Sequence, residues 1–204
     1  MAIVEKPSMK QRITTLFAGG VLGLALCAAA VAGPIEDGKA AYQRGDYTTA
    51  IRLLLPLGEK SGADAMLLLS HMYGSGKGVK EDANESWKWL KLSAENGNPS
   101  AQLSVGWAYQ SGGISGPKNV IEAAKWLQLA ADQGEPYAQE ALGKLYYDGN
   151  GVPKDYVIAY KWLNLAARRE SFYMAKQSRD ALEKLMTPAQ IAEAQRLARE
   201  WAPK

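Results

Sequence analysis

The sequence predicts an all-α fold: a right-handed α/α superhelical solenoid of stacked helix pairs, closed by a C-terminal capping helix pair. Three observations carry that prediction. Tyrosines at Tyr73, Tyr109 and Tyr146 recur at intervals of 36 and 37 residues. Each brings an alanine eight positions earlier (Ala65, Ala101, Ala138), a small residue three earlier (Ser70, Gly106, Gly143) and a glycine three later (Gly76, Gly112, Gly149). A tryptophan then follows in register (Trp89, Trp126, Trp162), preceded by lysine (Lys88, Lys125, Lys161) and followed by Leu90/Leu92, Leu127/Leu129 and Leu163/Leu165. The strings Ser93-Ala94, Ala130-Ala131 and Ala166-Ala167 close the pattern. A period between about 20 and 50 residues marks a repeat array, because a unit that small cannot bury its apolar surface alone and must stack.

The elements follow in order. Lys6, Lys10 and Arg12 give a basic start, Ile13 to Ile35 carries no charge, and Ala30-Val31-Ala32 before Gly33 matches a signal-peptidase site. Residues 1–32 are therefore expected to be a cleaved secretory signal, with Met9 a natural alternative start. About 20 apolar residues can also span a bilayer, so a retained signal-anchor facing outward is the alternative. Lipidation at Cys27 is a third option, for which Leu26 is the wrong preceding residue. Loss of the leader removes Lys6, Lys10, Arg12 and Glu5, leaving 21 basic and 20 acidic groups and no cysteine. The expected address is periplasmic or secreted, with no membrane span after cleavage and stability resting on packing without disulfides.

Residues 33–60 read as an N-terminal helix pair, followed by units at 61–98, 99–135 and 136–170. In each unit the positions −8, −4, −1 and 0 from the tyrosine share one helical face, as with Ala65, Leu69, Met72 and Tyr73. The small residue at −3 lets a second helix approach closely. Gly76-Lys77-Gly78-Val79 and Gly149-Asn150-Gly151-Val152 end the first helix and turn the chain. Asp82, Asn119 and Asp155, each seven residues before the tryptophan, are N-cap residues for the second helix. The middle unit has a longer loop from Gly112 to Pro117, expected to be the most mobile.

Arg168-Arg169-Glu170 stands where earlier units have Gly97 and Gly134, so the stacking is expected to change into a cap over 171–204. A helix from Ser171 to Met186 offers Phe172, Leu182, Leu185 and Met186 to cover the last unit. Thr187-Pro188-Ala189-Gln190 is a capping box with proline at the first helical position. The final helix runs to about Trp201, with Ile191, Ala194, Leu197 and Ala198 on one face and Glu193, Arg196, Arg199 and Glu200 on the polar outer side.

The Ala-x3-Leu-Gly-x-Leu-Tyr, Gly-x-Gly-Val-x-x-Asp and Ala-x-x-Trp-x3-Ala-Ala elements, over roughly Ala63 to Glu170, resemble the Sel-one-like repeat. Ala41 to Ile51 resembles the middle of a tetratricopeptide repeat, in which the Gly45-Asp46-Tyr47 turn joins two helices and Ala50 packs between them. The resemblance implies one continuous superhelix from near Ile35 and a protein-interaction scaffold. It also implies, for exported bacterial members, association with envelope assembly, signalling regulation or host contact.

Composition narrows the chemistry. A net charge of +3 with no Lys/Arg run beyond two residues does not suggest a nucleic-acid partner. One cysteine and one histidine leave no basis for thiol catalysis, a Cys/His metal site or a Ser-His-acid set, so no cofactor and no enzymatic activity are expected. His71 reads as a surface residue. No pair of carboxylates is singled out by spacing for glycoside hydrolysis. The recurring tryptophans have core periodicity, which favours packing over a sugar platform, and the lysine before each covers apolar surface with its stem.

The variable face of the first helices is the candidate site. Offsets −6, −5, −2 and +1 from the tyrosine give Leu67, Leu68 and His71; Leu103, Ser104, Trp107 and Gln110; and Glu140, Lys144 and Tyr147. The first helices of such arrays line the concave side, and Leu67, Leu103 and Trp107 are apolar where exposure predicts polar. The candidate partner-binding set is Leu67, His71, Leu103, Trp107, Gln110, Lys144 and Tyr147. The alternative is that these residues pack against the neighbouring unit. The expected partner is a protein or peptide, such as the outer domain of a membrane protein, bound by a monomer or weak oligomer. A polysaccharide-binding module or a cell-wall-active enzyme are the competing readings; wall-active relatives are typically rich in paired cysteines, which this chain lacks.

Overall fold

The computed structural model describes residues 33–60, 62–114 and 117–203, which form ten helices. The leader readings, including Cys27, fall on residues outside these, as do Ser115 and Gly116 of the long loop. Helices α1 (Pro34–Gln43) and α2 (Tyr47–Glu59) form the first pair. They are followed by α3 (Ala63–Ser75) with α4 (Ala83–Glu95), α5 (Pro99–Ser111) with α6 (Val120–Asp132), and α7 (Pro136–Asp148) with α8 (Tyr156–Ala166). Helices α9 (Tyr173–Glu183) and α10 (Pro188–Glu200) complete an all-α solenoid in which each helix up to α9 packs on its predecessor. Among the described residues no helix is long and apolar enough to cross a membrane.

Each pair is built on the predicted face: Ala65, Leu69 and Met72, Ala101 and Val105, and Ala138, Leu142 and Leu145 are all buried. The −3 position sets how closely the second helix approaches. A Cβ on Gly106 would stand 2.8 Å from Leu127 Cγ, and one on Gly143 2.8 Å from Leu163 Cγ. The first unit has Ser70 at this position, and Ser86, where the others have Ala123 and Ala159, donates its hydroxyl to the Ser70 carbonyl at 2.9 Å. The tryptophans pack as expected: Trp89 and Trp162 are buried, and Trp126 lies against Ala94, Ala101 and Val105. The Lys161 ammonium sits 4.0 Å from the Trp162 ring centre, a cation–π contact that its extended stem permits.

The predicted caps form. Asp82 accepts from the Asn84 and Glu85 amides, Asn119 from Glu122 and Asp155 from Ile158; Asp46 caps α2 through Thr49. Gly78 and Gly151 have φ of +75° and +79°, and each passes directly over the first turn of the preceding second helix, at Tyr47 and Val120. A polar ladder not anticipated from sequence joins the units on their opposite edge. Gln102 and Gln139 are buried; their Nε2 groups donate to the carbonyls of Ala94 (3.1 Å) and Ala131 (3.3 Å). Both carbonyls lie in the last turn of a second helix, past the reach of the i+4 ladder, and the glutamines share them with the Gly97 and Gly134 amides. Gln133 in turn donates to Gln102 Oε1 at 2.8 Å.

The C-terminal end closes differently from a regular pair. Helix α9 takes the place of a first helix on α8, but α10 also packs on α8 instead of pairing with α9. Only residues 184–187 link the two, and the far end of α10 is held by Arg168, whose Nη2 donates to the Ala198 carbonyl at 2.7 Å. Trp201 meets Trp162 edge-on at 6.3 Å and rests over Gly134. Phe172, Leu182 and Met186 are buried, and the Thr187–Gln190 capping box forms. Leu185 is a correction: beyond the end of α9 it turns outward and is 56% exposed.

Replacing a helical glycine by alanine ordinarily stabilises by about 1 kcal/mol. Gly143→Ala is expected to do the reverse, destabilising by about 1–3 kcal/mol, because the new methyl meets Leu163 Cγ and lies 3.2 Å from the Ala159 carbonyl. Chemical denaturation of the two proteins checks this, and equal or higher stability in the variant would contradict the close-approach argument.

Candidate functional site

The first helices present their variable positions in rows that run from unit to unit. The row at −6 turns inward. Leu103 is 6% exposed and packs with Ala138 and Leu142 of the next unit, while Leu67 packs with Ala101 and Val105 of its next unit. These two leucines therefore sit at the seams between units, Leu103 buried and Leu67 partly so. Glu140 continues the row where no further regular unit follows, and it is the −6 residue that becomes polar.

The row at −2 turns outward: His71, Trp107 and Lys144 are all exposed. Trp107 keeps 45% of its surface open, and its ring lies 6.3 Å from that of Tyr137 at 70°. Tyr137, 55% exposed, contacts Phe172 at 4.7 Å, so an aromatic row crosses from α5 over α7 to the start of α9. Tyr137 was not among the expected residues. Its signal in the sequence is position −9, where the other units carry the polar Asp64 and Ser100.

Two grooves flank α7. One, of about 270 Å³, lies between α5 and α7 and is lined by Trp107, Gln110, Tyr137, Glu140, Ala141 and Lys144. The other, of about 340 Å³, lies toward α9, with Lys144, Tyr147 and Asp148 facing Leu163, Ala181 and Leu182. Lys144 belongs to both, and its ammonium is neutralised by Glu140 at 2.5 Å. Gln110 is half-buried in the first groove. Tyr147 stacks on Tyr156 at 5.6 Å and 21°, with the Lys154 ammonium 5.8 Å and 5.0 Å from the two ring centres. The structure thus places Trp107, Gln110, Lys144 and Tyr147 along the two grooves beside α7 and leaves His71 outside both, on α3 of the unit preceding α5. Desolvation by the surrounding protein holds the His71 imidazole below its ordinary value of 6.5. Among the described residues no group of His, Cys, Asp and Glu is arranged to hold a metal ion.

Stacked helix pairs with an exposed row on their first helices define a helical-repeat protein of the α/α class. Residues 63–98, 99–135 and 136–171 each match the Sel1 repeat, and the chain belongs to the Sel1 repeat family. A Sel1 repeat protein from Oxalobacter formigenes is 34% identical and superposes with a TM-score of 0.60, covering 63% of this chain and 95% of that one. The protein c5321, a protective antigen present in uropathogenic Escherichia coli strains, shares the fold with a TM-score of 0.58 at 24% identity. That match covers 85% of this chain but 46% of c5321. No curated protein matches the chain. Sel1 repeat proteins generally mediate protein–protein interaction and are typically not enzymes.

The two rows respond differently to truncation. Leu103→Ala is expected to cost about 2–5 kcal/mol as a cavity opens at the seam, whereas Trp107→Ala costs less than about 1 kcal/mol. Thermal unfolding of the pair checks this, and a large loss for Trp107→Ala would place its ring in the core. His71 is the single histidine, so its ring protons give an isolated NMR titration. The midpoint is expected below 6.5. The neutral ring is then the form the folded state favours, and stability declines as pH falls below about 6.5. His71→Gln is expected to remove that decline.

Proposed function

We propose that this protein binds an extended segment of a partner protein across the face formed by α5, α7 and α9, as an exported, non-enzymatic adaptor in envelope assembly or signalling regulation. The observation that carries the reading is the Trp107–Tyr137 pair. Two large aromatic rings stand about half open beside a groove on a fold whose other recurring aromatic, the tryptophan of each second helix, is packed away. Rigid aromatic anchors beside a groove are what binding hot spots consist of. The basic start, uncharged run and Ala-x-Ala site of residues 1–33 support a periplasmic or secreted location. The 70° angle between the rings favours a peptide over a glycan, since sugars stack on flat, coplanar platforms.

A photo-crosslinking residue at position 110, beside Trp107, tests this in the native cell, with position 125 on the exposed side of α6 as control. One protein captured at 110 and absent at 125 is the expected result. Equal or empty capture at both positions would remove the face from consideration.

A further inference from the structure

We infer that the partner segment is a polyproline-type strand carrying a proline and, about five residues away, a lysine or arginine. The proline sits in the corner that the Trp107 and Tyr137 rings form, and the basic side chain reaches Asp148. This rests on the binding face proposed above and specifies its ligand.

The notch selects for proline by shape. Two aromatic rings meeting at 70° form a corner with two apolar walls, and a proline ring fills such a corner without losing rotamer freedom. Segments rich in proline are already extended before binding, and their backbone carbonyls are free because the polyproline helix makes no internal hydrogen bonds. Gln110, which lines the same groove, offers an amide donor to such carbonyls.

Charge selects for the basic residue. Asp148 is the last residue of α7, where the helix already presents the negative end of its dipole, so a carboxylate there is unfavourable without a cation. Among the described residues none is paired with it. Lys144 and Lys154, which flank it in sequence, are engaged by Glu140 and by the rings of Tyr147 and Tyr156. Asp148 is exposed and borders the second groove, where an arriving cation would meet both the carboxylate and the helix end.

The spacing follows from the two helical rises. Tyr137 and Asp148 are separated by roughly 16 Å along α7 at 1.5 Å per residue. A polyproline strand advances about 3.1 Å per residue, so it covers that span in about five residues.

Selection of a random twelve-residue displayed-peptide library on the full-length chain tests the inference, with the enriched peptides then measured by fluorescence anisotropy. Enriched peptides are expected to carry proline with lysine or arginine four to six positions away, in either order. Trp107→Ala is expected to weaken them about thirtyfold or more, and Asp148→Asn about three- to fivefold, the latter loss vanishing at high salt. Unchanged helical circular dichroism and melting in both variants keeps the comparison on binding. Peptides that depend on Trp107 yet lack the proline or the base, or ignore Asp148→Asn, overturn this inference and leave the binding face standing. Peptides indifferent to Trp107→Ala, or no enrichment, overturn both, and binding of a soluble cell-wall oligosaccharide in their place assigns the face to a glycan.

Discussion

At Gly106 and Gly143 the leucine of the facing helix occupies the volume that any side chain would need, and the two helices of a unit are drawn together there. This close approach sets the geometry of everything else. It places the −8, −4 and −1 residues between the helices, and it brings the second-helix tryptophan onto apolar surface. The first unit reaches a related arrangement by other chemistry, with Ser86 hydrogen-bonded to the Ser70 carbonyl in the space where the others have methyl and hydrogen. Small residues work at this position because dispersion forces fall steeply with even a fraction of an ångström of separation.

Once the pairs are set, their stacking sorts the remaining positions of each first helix. The −6 residue points into the next unit and the −2 residue points away from it. Two leucines at −6 therefore act as mortar, while His71, Trp107 and Lys144 form the surface. The edges of the stack are tied by polar groups. On one side Gly78 and Gly151, with positive φ, lay their loops on the preceding second helix; on the other, Gln102 and Gln139 add a side-chain donor to carbonyls in the last turn of a second helix. A buried glutamine is tolerated only because its amide is so matched.

The last unit shows what ends such an array. Without a further regular pair, α9 and α10 both pack on α8, and Trp201 folds back to meet Trp162. The seam position there carries Glu140, which turns to Lys144 instead of a neighbouring leucine. That change opens the face: the groove beside Lys144 lies where the inward packing of earlier units gives way to polar side chains.

Much of this was determined by the sequence alone. The register of tyrosine, glycine and tryptophan dictated helix pairs, the caps at Asp82, Asn119 and Asp155 and the capping box at Thr187, because each depends on residues within a few positions of one another along the chain. Trp107 and Lys144 were also legible, since a position that varies while its neighbours recur is free of the packing constraint. The tertiary structure alone decided that Leu67 and Leu103 belong to the seam, that Leu185 is exposed, that α10 docks on α8, and that Tyr137 stands beside Trp107. Each of those depends on which side of a helix meets a different unit, and helical periodicity gives an apolar face without saying what covers it. Tyr137 and Trp107 are 30 positions apart, and only the close approach of their helices' neighbours brings the two rings to one notch.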